Sequence, residues 1–192
     1  KGKVKVELTD SDGKEVFSET ILASHLSIGK IWDNIPIKRW FPNGLGNQIL
    51  YDLNLILFDE KGAVCQQNAY RIGFRNLQWL PTEGASVDAD HWLCSVNNQS
   101  FFLQGVNWTP IRPNFADLTQ KDYRKLLTSY KKMGVNAIRI WGGGFPEKDW
   151  LYNMCDEMGI LIWQDFPLSS SGLENYPPEE EKTIYEISKI VE

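Results

Sequence analysis

Near residue 85 the hydrophobic period of this chain changes, and that change constrains its fold more than any other feature. Upstream, Val4, Val6 and Leu8 alternate with Lys5 and Glu7, the period of a half-buried strand. Ser11-Asp12-Gly13 is a turn signal, and Val16 and Phe17 open a returning strand, so the pair reads as a hairpin. Asp10, Asp12 and Gly13 lack the later ligands of a calcium loop, and a plain turn is the reading. Leu50 to Phe58 is a strongly apolar strand, Asp59-Glu60-Lys61-Gly62 turns it back, and Cys65 to Arg75 follows as another strand. No helical period occurs in this stretch. Short strands at this spacing lead to an immunoglobulin-like β-sandwich over residues 1–83, expected to be all-β.

Pro81 to Asp90 is small and polar, and reads as a linker. Beyond it, His91 to Val96 and Phe101 to Val106 flank Asn97-Asn98-Gln99 as in a hairpin. Thr119 with Asp122 has the spacing of a capping box, and Tyr123, Leu126, Leu127, Tyr130 and Met133 mark one helical face, ended by Gly134. Val135 to Trp141 is a short apolar strand. Pro146 sits where a second helix can begin, with Trp150, Leu151, Met154 and Met158 as its buried stripe and Gly159 as its stop. Ile160 to Trp163 is a strand again, and Pro177-Pro178 with Glu179, Glu180 and Glu181 opens a third helix. Strand and helix therefore alternate, and the short unalternating strands suit a parallel sheet covered on both faces. No G-x-G-x-x-G follows the first strand and no phosphate-loop motif is present, which favours a barrel over a nucleotide-binding sheet. Residues 84–192 are expected to hold strands 1–3 of a (β/α)₈ TIM barrel with their helices.

Composition removes several function classes. Lys+Arg 20 against Asp+Glu 25 gives 20 − 25 = −5, without a basic block, so nucleic acid is a poor partner. No apolar run reaches the ~18–20 residues that span a bilayer, so no membrane helix is expected. Lys1 to Asp10 does not read as a signal peptide, and without an initiator Met the chain is expected to start inside a longer polypeptide. Cys65, Cys94 and Cys155 form no C-x-x-C pair and read as three buried free thiols, while His25 and His91 lack ligand spacing, so no metal is expected. Sequons at Asn98 and Asn107 carry little weight. The eight tryptophans are unusual, and indoles either fill a core or bind flat apolar faces such as sugar rings.

The active site of a barrel lies at the C-terminal ends of its strands. Here those ends read Asn107-Trp108, then Arg139-Ile140-Trp141 followed by Gly142-Gly143-Gly144, then Trp163-Gln164-Asp165-Phe166. Each brings an indole and a hydrogen-bonding side chain to one rim, a set suited to carbohydrate; core packing of Trp141 and Trp163 is the competing reading. A carbohydrate-binding module would instead carry its tryptophans on one sandwich face, whereas Trp32, Trp40, Trp79 and Trp92 read as sandwich and interface packing.

The blocks Gly105-Val106-Asn107-Trp108, Arg139-Ile140-Trp141-Gly142-Gly143-Gly144, Cys155-Asp156-Glu157-Met158-Gly159-Ile160, Trp163-Gln164-Asp165-Phe166 and Tyr176-Pro177 together resemble the β-mannosidases of glycoside hydrolase family 2. Upstream, Phe41-Pro42-Asn43-Gly44-Leu45-Gly46, Leu50-Tyr51 and Arg71-Ile72-Gly73-Phe74-Arg75 resemble the immunoglobulin-like domain that precedes the barrel there. The resemblance implies a retaining glycosidase with two glutamates, an acid/base and a nucleophile, ~5–5.5 Å apart and placed on strands four and seven. Neither would lie in this chain; Glu157, Glu174 and Glu179 do not substitute, and no catalytic residue or cofactor is assigned here. The implied roles are orientation of the nucleophile for Arg139, and sugar contact for Trp141, Asn107, Asp165 and Trp163. The implied partner is a β-mannoside oligosaccharide or glycoconjugate, together with the remainder of the parent polypeptide, and this substrate class favours an extracytoplasmic setting. Pro167 to Gly172 departs from the apolar, aromatic sequence common at that place in the family, which leaves a different sugar specificity as an alternative.

Overall fold

The structure is a computed structural model, described here for residues 2–144, 146–166 and 179–189. Pro167–Gly172, Glu174, Tyr176, Pro177 and Pro178 lie outside the described residues. The alternating N-terminal segment forms β1 (Lys3–Thr9), which returns through β2 (Glu15–Leu22). The turn is closed by Asp10, whose Oδ1 accepts from the Asp12 and Lys14 N–H groups at 3.0 and 2.9 Å. A single helical turn, α1 (Ala23–Ser27), follows, which corrects the all-β expectation for residues 1–83. Five residues are too few to display a 3.6-residue period, so no amphipathic pattern could announce it. β3 (Tyr51–Phe58) and β4 (Val64–Ile72) complete a four-stranded antiparallel sheet in the order β2-β1-β3-β4. Val4, Val6 and Leu8 are buried on one face of it with Ile21 and Tyr51. Cys65 is exposed on β4, which corrects the expectation of three buried thiols; Cys94 and Cys155 are buried.

The expected linker at residues 81–90 instead connects two paired strands. β5 (Leu77–Leu80) lies antiparallel to β6 (Leu93–Val96), with Leu77 opposite Val96. β6 in turn pairs with the short β7 (Gln99–Ser100) through a tight turn in which Asn97 and Asn98 take φ 53° and 67°. Phe101–Val106 is therefore not one hairpin strand: its last residues, Gly105 and Val106, begin the next sheet.

That sheet is parallel, in the order β10-β9-β8, from β8 (Gly105–Trp108), β9 (Ala137–Ile140) and β10 (Leu161–Gln164). A 3₁₀ turn (Phe115–Asp117) and α2 (Gln120–Lys132) join β8 to β9, and α3 (Asp149–Met158) joins β9 to β10. A further helix, α4 (Glu180–Ser188), carries Glu180 and Glu181 in its first turn. The Thr119–Asp122 box forms: Asp122 Oδ2 accepts from the Thr119 N–H at 2.9 Å and its hydroxyl at 2.8 Å. α3 begins at Asp149, three residues later than Pro146, and Cys155 joins Leu151, Met154 and Met158 in its buried stripe. Met133, expected on the buried face of α2, is 64% exposed one residue past the helix end.

Within the parallel sheet the strands do alternate. Ile138 and Ile140 are buried against the helices with Trp108, Tyr123, Leu127 and Leu151, while Asn107, Arg139 and Trp163 face the other way and are exposed. Trp108 is thus core, which corrects its expected place on the rim.

The loop before β3 docks the two halves together. Asn43 Nδ2 donates to the Lys131 and Val135 carbonyls at 2.9 and 3.0 Å, at and just beyond the C-terminus of α2. Trp40, fully buried, donates its indole N–H to the Asp156 carbonyl of α3 at 2.8 Å, and Arg71 meets Glu157 at 2.8 Å.

Candidate functional site

Parallel register sets Asn107 of β8 beside Arg139 of β9, and Arg139 beside Trp163 of β10. All three side chains project from the face away from the helices, near the C-terminal strand ends. Asp165 follows β10, anchored by its own N–H donating to the Ile140 carbonyl at 2.9 Å. The Arg139 guanidinium then meets both neighbouring elements. Nη2 and Nε donate to the two Asp165 carboxylate oxygens at 2.5 and 3.3 Å, and Nη1 donates to Asn107 Oδ1 at 3.3 Å. The bidentate fork fixes the plane of a permanently charged group. Arg139 remains 49% exposed and Asp165 22%, so the cation is oriented and still open to a further anion.

Trp141, the first residue beyond β9, is 37% exposed. The glycines after it fold over its ring: the Gly144 N–H donates to the Trp141 carbonyl at 3.0 Å, and a Cβ on Gly143 would fall 2.5 Å from the indole Cη2. Trp163 is 45% exposed, but one ring face is taken: it stacks on Trp92 at 5.9 Å and meets Trp79 edge-on at 6.2 Å. This cluster lines a cavity of about 860 Å³ beside the outer strand β10, together with Arg75, Asp90 and His91. The structure therefore brings Asn107, Arg139 and Asp165 into contact and sets Trp163 in a separate aromatic cluster.

Behind the rim lies a residue that sequence reasoning passed over. Glu147 is 8% exposed. Its Oε1 accepts from the Trp108 indole at 2.8 Å and its Oε2 from the Tyr123 hydroxyl at 2.7 Å. Burial, and then this bond to Glu147, push the Tyr123 phenol well above its usual range, which keeps it a donor. The Glu147 N–H donates to the Tyr152 hydroxyl at 3.1 Å, which donates to Gln164 Oε1 at 3.0 Å. A charged residue between Pro146 and a helix reads as a solvated first-turn carboxylate, and only the tertiary fold shows otherwise. Glu157 is bound by Arg71 of β4 and Arg124 of α2, and Glu179 is the N-terminal flank of α4. Among the described residues no three His, Cys, Asp or Glu side chains converge as metal ligands would, and no helix there is long and apolar enough to cross a membrane.

Residues 87–189 match the family described as glycosyl hydrolases family 2, TIM barrel domain. The chain belongs to that family. Its barrel segment carries the Arg139 rim, and β8, β9 and β10 are strands of the family 2 barrel domain. Over 153 residues the chain is 33% identical to a β-mannosidase of Capra hircus, covering 79% of this chain and 17% of that protein. A crystal structure of a β-D-mannosidase from Dictyoglomus thermophilum matches with TM-score 0.77 and 33% identity, over 98% of this chain and 23% of that one. A β-glucuronidase from Parabacteroides merdae shares the fold at TM-score 0.63 and 24% identity, over 87% of this chain and 19% of that one. The chain spans about 17% of the length of the curated relatives it matches most strongly.

Proposed function

We propose that this family 2 chain supplies the first three strands of the catalytic barrel, and part of a preceding immunoglobulin-like sandwich, to a retaining β-mannosidase that removes terminal β-D-mannose. The domains divide near residue 83. The observation that carries the reading is Arg139, held by Asn107 and Asp165 at the ends of three adjacent parallel strands. A retaining glycosidase needs its nucleophile ionised and aimed at the anomeric carbon. A fixed guanidinium lowers the energy of a neighbouring carboxylate without itself titrating. With Asp165 holding one edge of that guanidinium and Asn107 accepting from Nη1, the cation is still 49% exposed and open to the carboxylate of the nucleophile. Trp141 stacks on the sugar's C–H face, Asn107 and Asp165 take hydroxyls, and the free part of the Trp163 ring contributes a second apolar surface. The β-mannosidase relatives at 33% identity support mannose over other sugars.

Both glutamates belong to barrel strands outside this chain, so residues 1–192 alone should have no activity. The test assays the full-length protein and the isolated chain on an aryl β-mannoside and its β-glucoside epimer, following the first-formed anomer by NMR. Turnover of the mannoside with retention, by the full-length protein only, is expected. Turnover by the isolated chain, or preference for another glycoside, overturns the reading.

A further inference from the structure

Glu147 spends a buried charge where an apolar side chain would pack. Against it lie Trp108 and Tyr123, both in the core between the strands and helices. Desolvating a carboxylate there is costly even with both oxygens paired, and such groups contribute little net stability against apolar replacements. What its contacts have in common is the rim. Through Trp108 it grips the end of β8, and through Tyr152 and Gln164 it reaches the end of β10, where Gln164 Nε2 donates to the Asp165 carbonyl at 2.8 Å. Glu147 itself follows Trp141 by six residues in the chain. The next residue continues the clamp: Lys148 Nζ donates to the Leu118 carbonyl at 2.9 Å, tying the same segment to the loop after β8.

We propose that Glu147 is a positioning residue for the glycosidase reaction: it holds the segment that follows Trp141 against the ends of β8 and β10, so that the exposed indole keeps one place at the end of β9. In that segment Gly142, Gly143 and Gly144 carry no side chains to anchor it, and the Gly144–Trp141 hydrogen bond is one restraint there. A carboxylate accepting two side-chain donors fixes it in two directions at once, which no apolar side chain can do.

This inference rests on the proposed function for its kinetic part. The test uses the full-length protein with Glu147→Ala, Glu147→Gln, Tyr123→Phe, Trp141→Ala and the Glu147→Ala/Trp141→Ala double variant. Glu147→Ala should raise KM for an aryl β-mannoside by about tenfold or more while kcat changes less, the pattern of lost binding geometry. Glu147→Gln, which still accepts from Trp108, should recover most of it. In the Trp141→Ala background, Glu147→Ala should cost less than about twofold further, because the group it places is gone. Amide hydrogen exchange at Gly144 should quicken in Glu147→Ala while that of α2 stays protected. If Glu147→Ala fails to fold, Tyr123→Phe, which removes one of the two donors, carries the same kinetic and exchange comparison. Additive losses in the double variant, or unchanged Gly144 exchange in the folded variants, overturn the proposal. A wild-type protein that cleaves no glycoside defeats the proposed function alone; the exchange comparison then decides whether Glu147 places the turn.

Discussion

The peptide N–H of Asn43 donates to the carbonyl of Gly159 at 2.7 Å, and a Cβ on Gly159 would stand 2.5 Å from that same nitrogen. The C-terminus of α3 and the loop before β3 approach closely enough that only glycine fits between them. Gly159 also takes φ 77°, the left-handed conformation that ends the helix. Asn43 meanwhile bonds the end of α2 through its side chain, so one loop meets the C-termini of α2 and α3.

Gly159→Ala should therefore destabilise the protein by about 2–3 kcal/mol, from the left-handed backbone at ~1–2 kcal/mol and the displaced hydrogen bond at ~1 kcal/mol. The full-length protein's urea midpoint should fall with little change in the slope. An unchanged midpoint would mean that the loop can withdraw from α3 at no cost.

Asp156, on the same interface, gives a pH dependence of unusual sign. Burial raises its carboxyl above the ordinary value; Arg75 and then Arg71 oppose the shift, and Glu157 adds to it. A carboxyl whose folded pKa is raised binds its proton more tightly when folded. Its contribution is fully present below the unfolded value of 3.8 and is lost as pH rises through the raised folded value. Asp156→Asn should gain stability relative to wild type as pH climbs above 3.8, with the difference levelling off once pH has passed the raised folded value. Denaturant midpoints across that range check it, and a difference that moves the other way would show that Arg75 and Arg71 outweigh burial.

Arg139→Lys keeps the charge and removes the fork. An ammonium cannot hold both Asp165 oxygens and Asn107 in one plane. We expect kcat/KM of the full-length enzyme to fall by on the order of a hundredfold, through kcat more than KM, because the lost orientation acts on the nucleophile rather than on sugar binding. Stability should move little, since the side chain is 49% exposed. Wild-type kinetics in Arg139→Lys would return the pair to a structural ion pair.

Much of this architecture was legible in the residues. The stripe from Tyr123 to Tyr130, the Thr119–Asp122 box and the glycines at 134 and 159 place α2 and α3 because helix patterning extends over many residues. Arg139, Asn107 and Asp165 were legible as rim residues because position at a strand end needs only the boundary. What failed is phase. In a four-residue apolar run, period 2 cannot say which residues face the helices, so Trp108 and Trp141 read alike although one is core and one is exposed. The partners of Trp163 were equally hidden: Trp92 is 71 residues away in sequence, and stacking at that separation leaves no local signal. Glu147 was missed for a related reason, since its donors come from β8 and α2.

Gly143 offers the sharpest test of Trp141. Its φ is not in the left-handed region, so alanine there strains no backbone; the obstacle is the indole, whose ring atoms would lie 2.5 to 2.8 Å from the new Cβ. Gly143→Ala must therefore push the ring away from its place on the turn. If that ring stacks on the sugar, Trp141→Ala should lose on the order of 1–3 kcal/mol of transition-state binding on an aryl β-mannoside. Gly143→Ala should lose part of the same amount. In the Trp141→Ala background the alanine at 143 meets no ring, so it should cost nothing further in stability or in kcat/KM, a coupling that a double-mutant cycle reads directly. Full activity in Gly143→Ala would mean that the indole can move without consequence, and would return Trp141 to packing over its own turn.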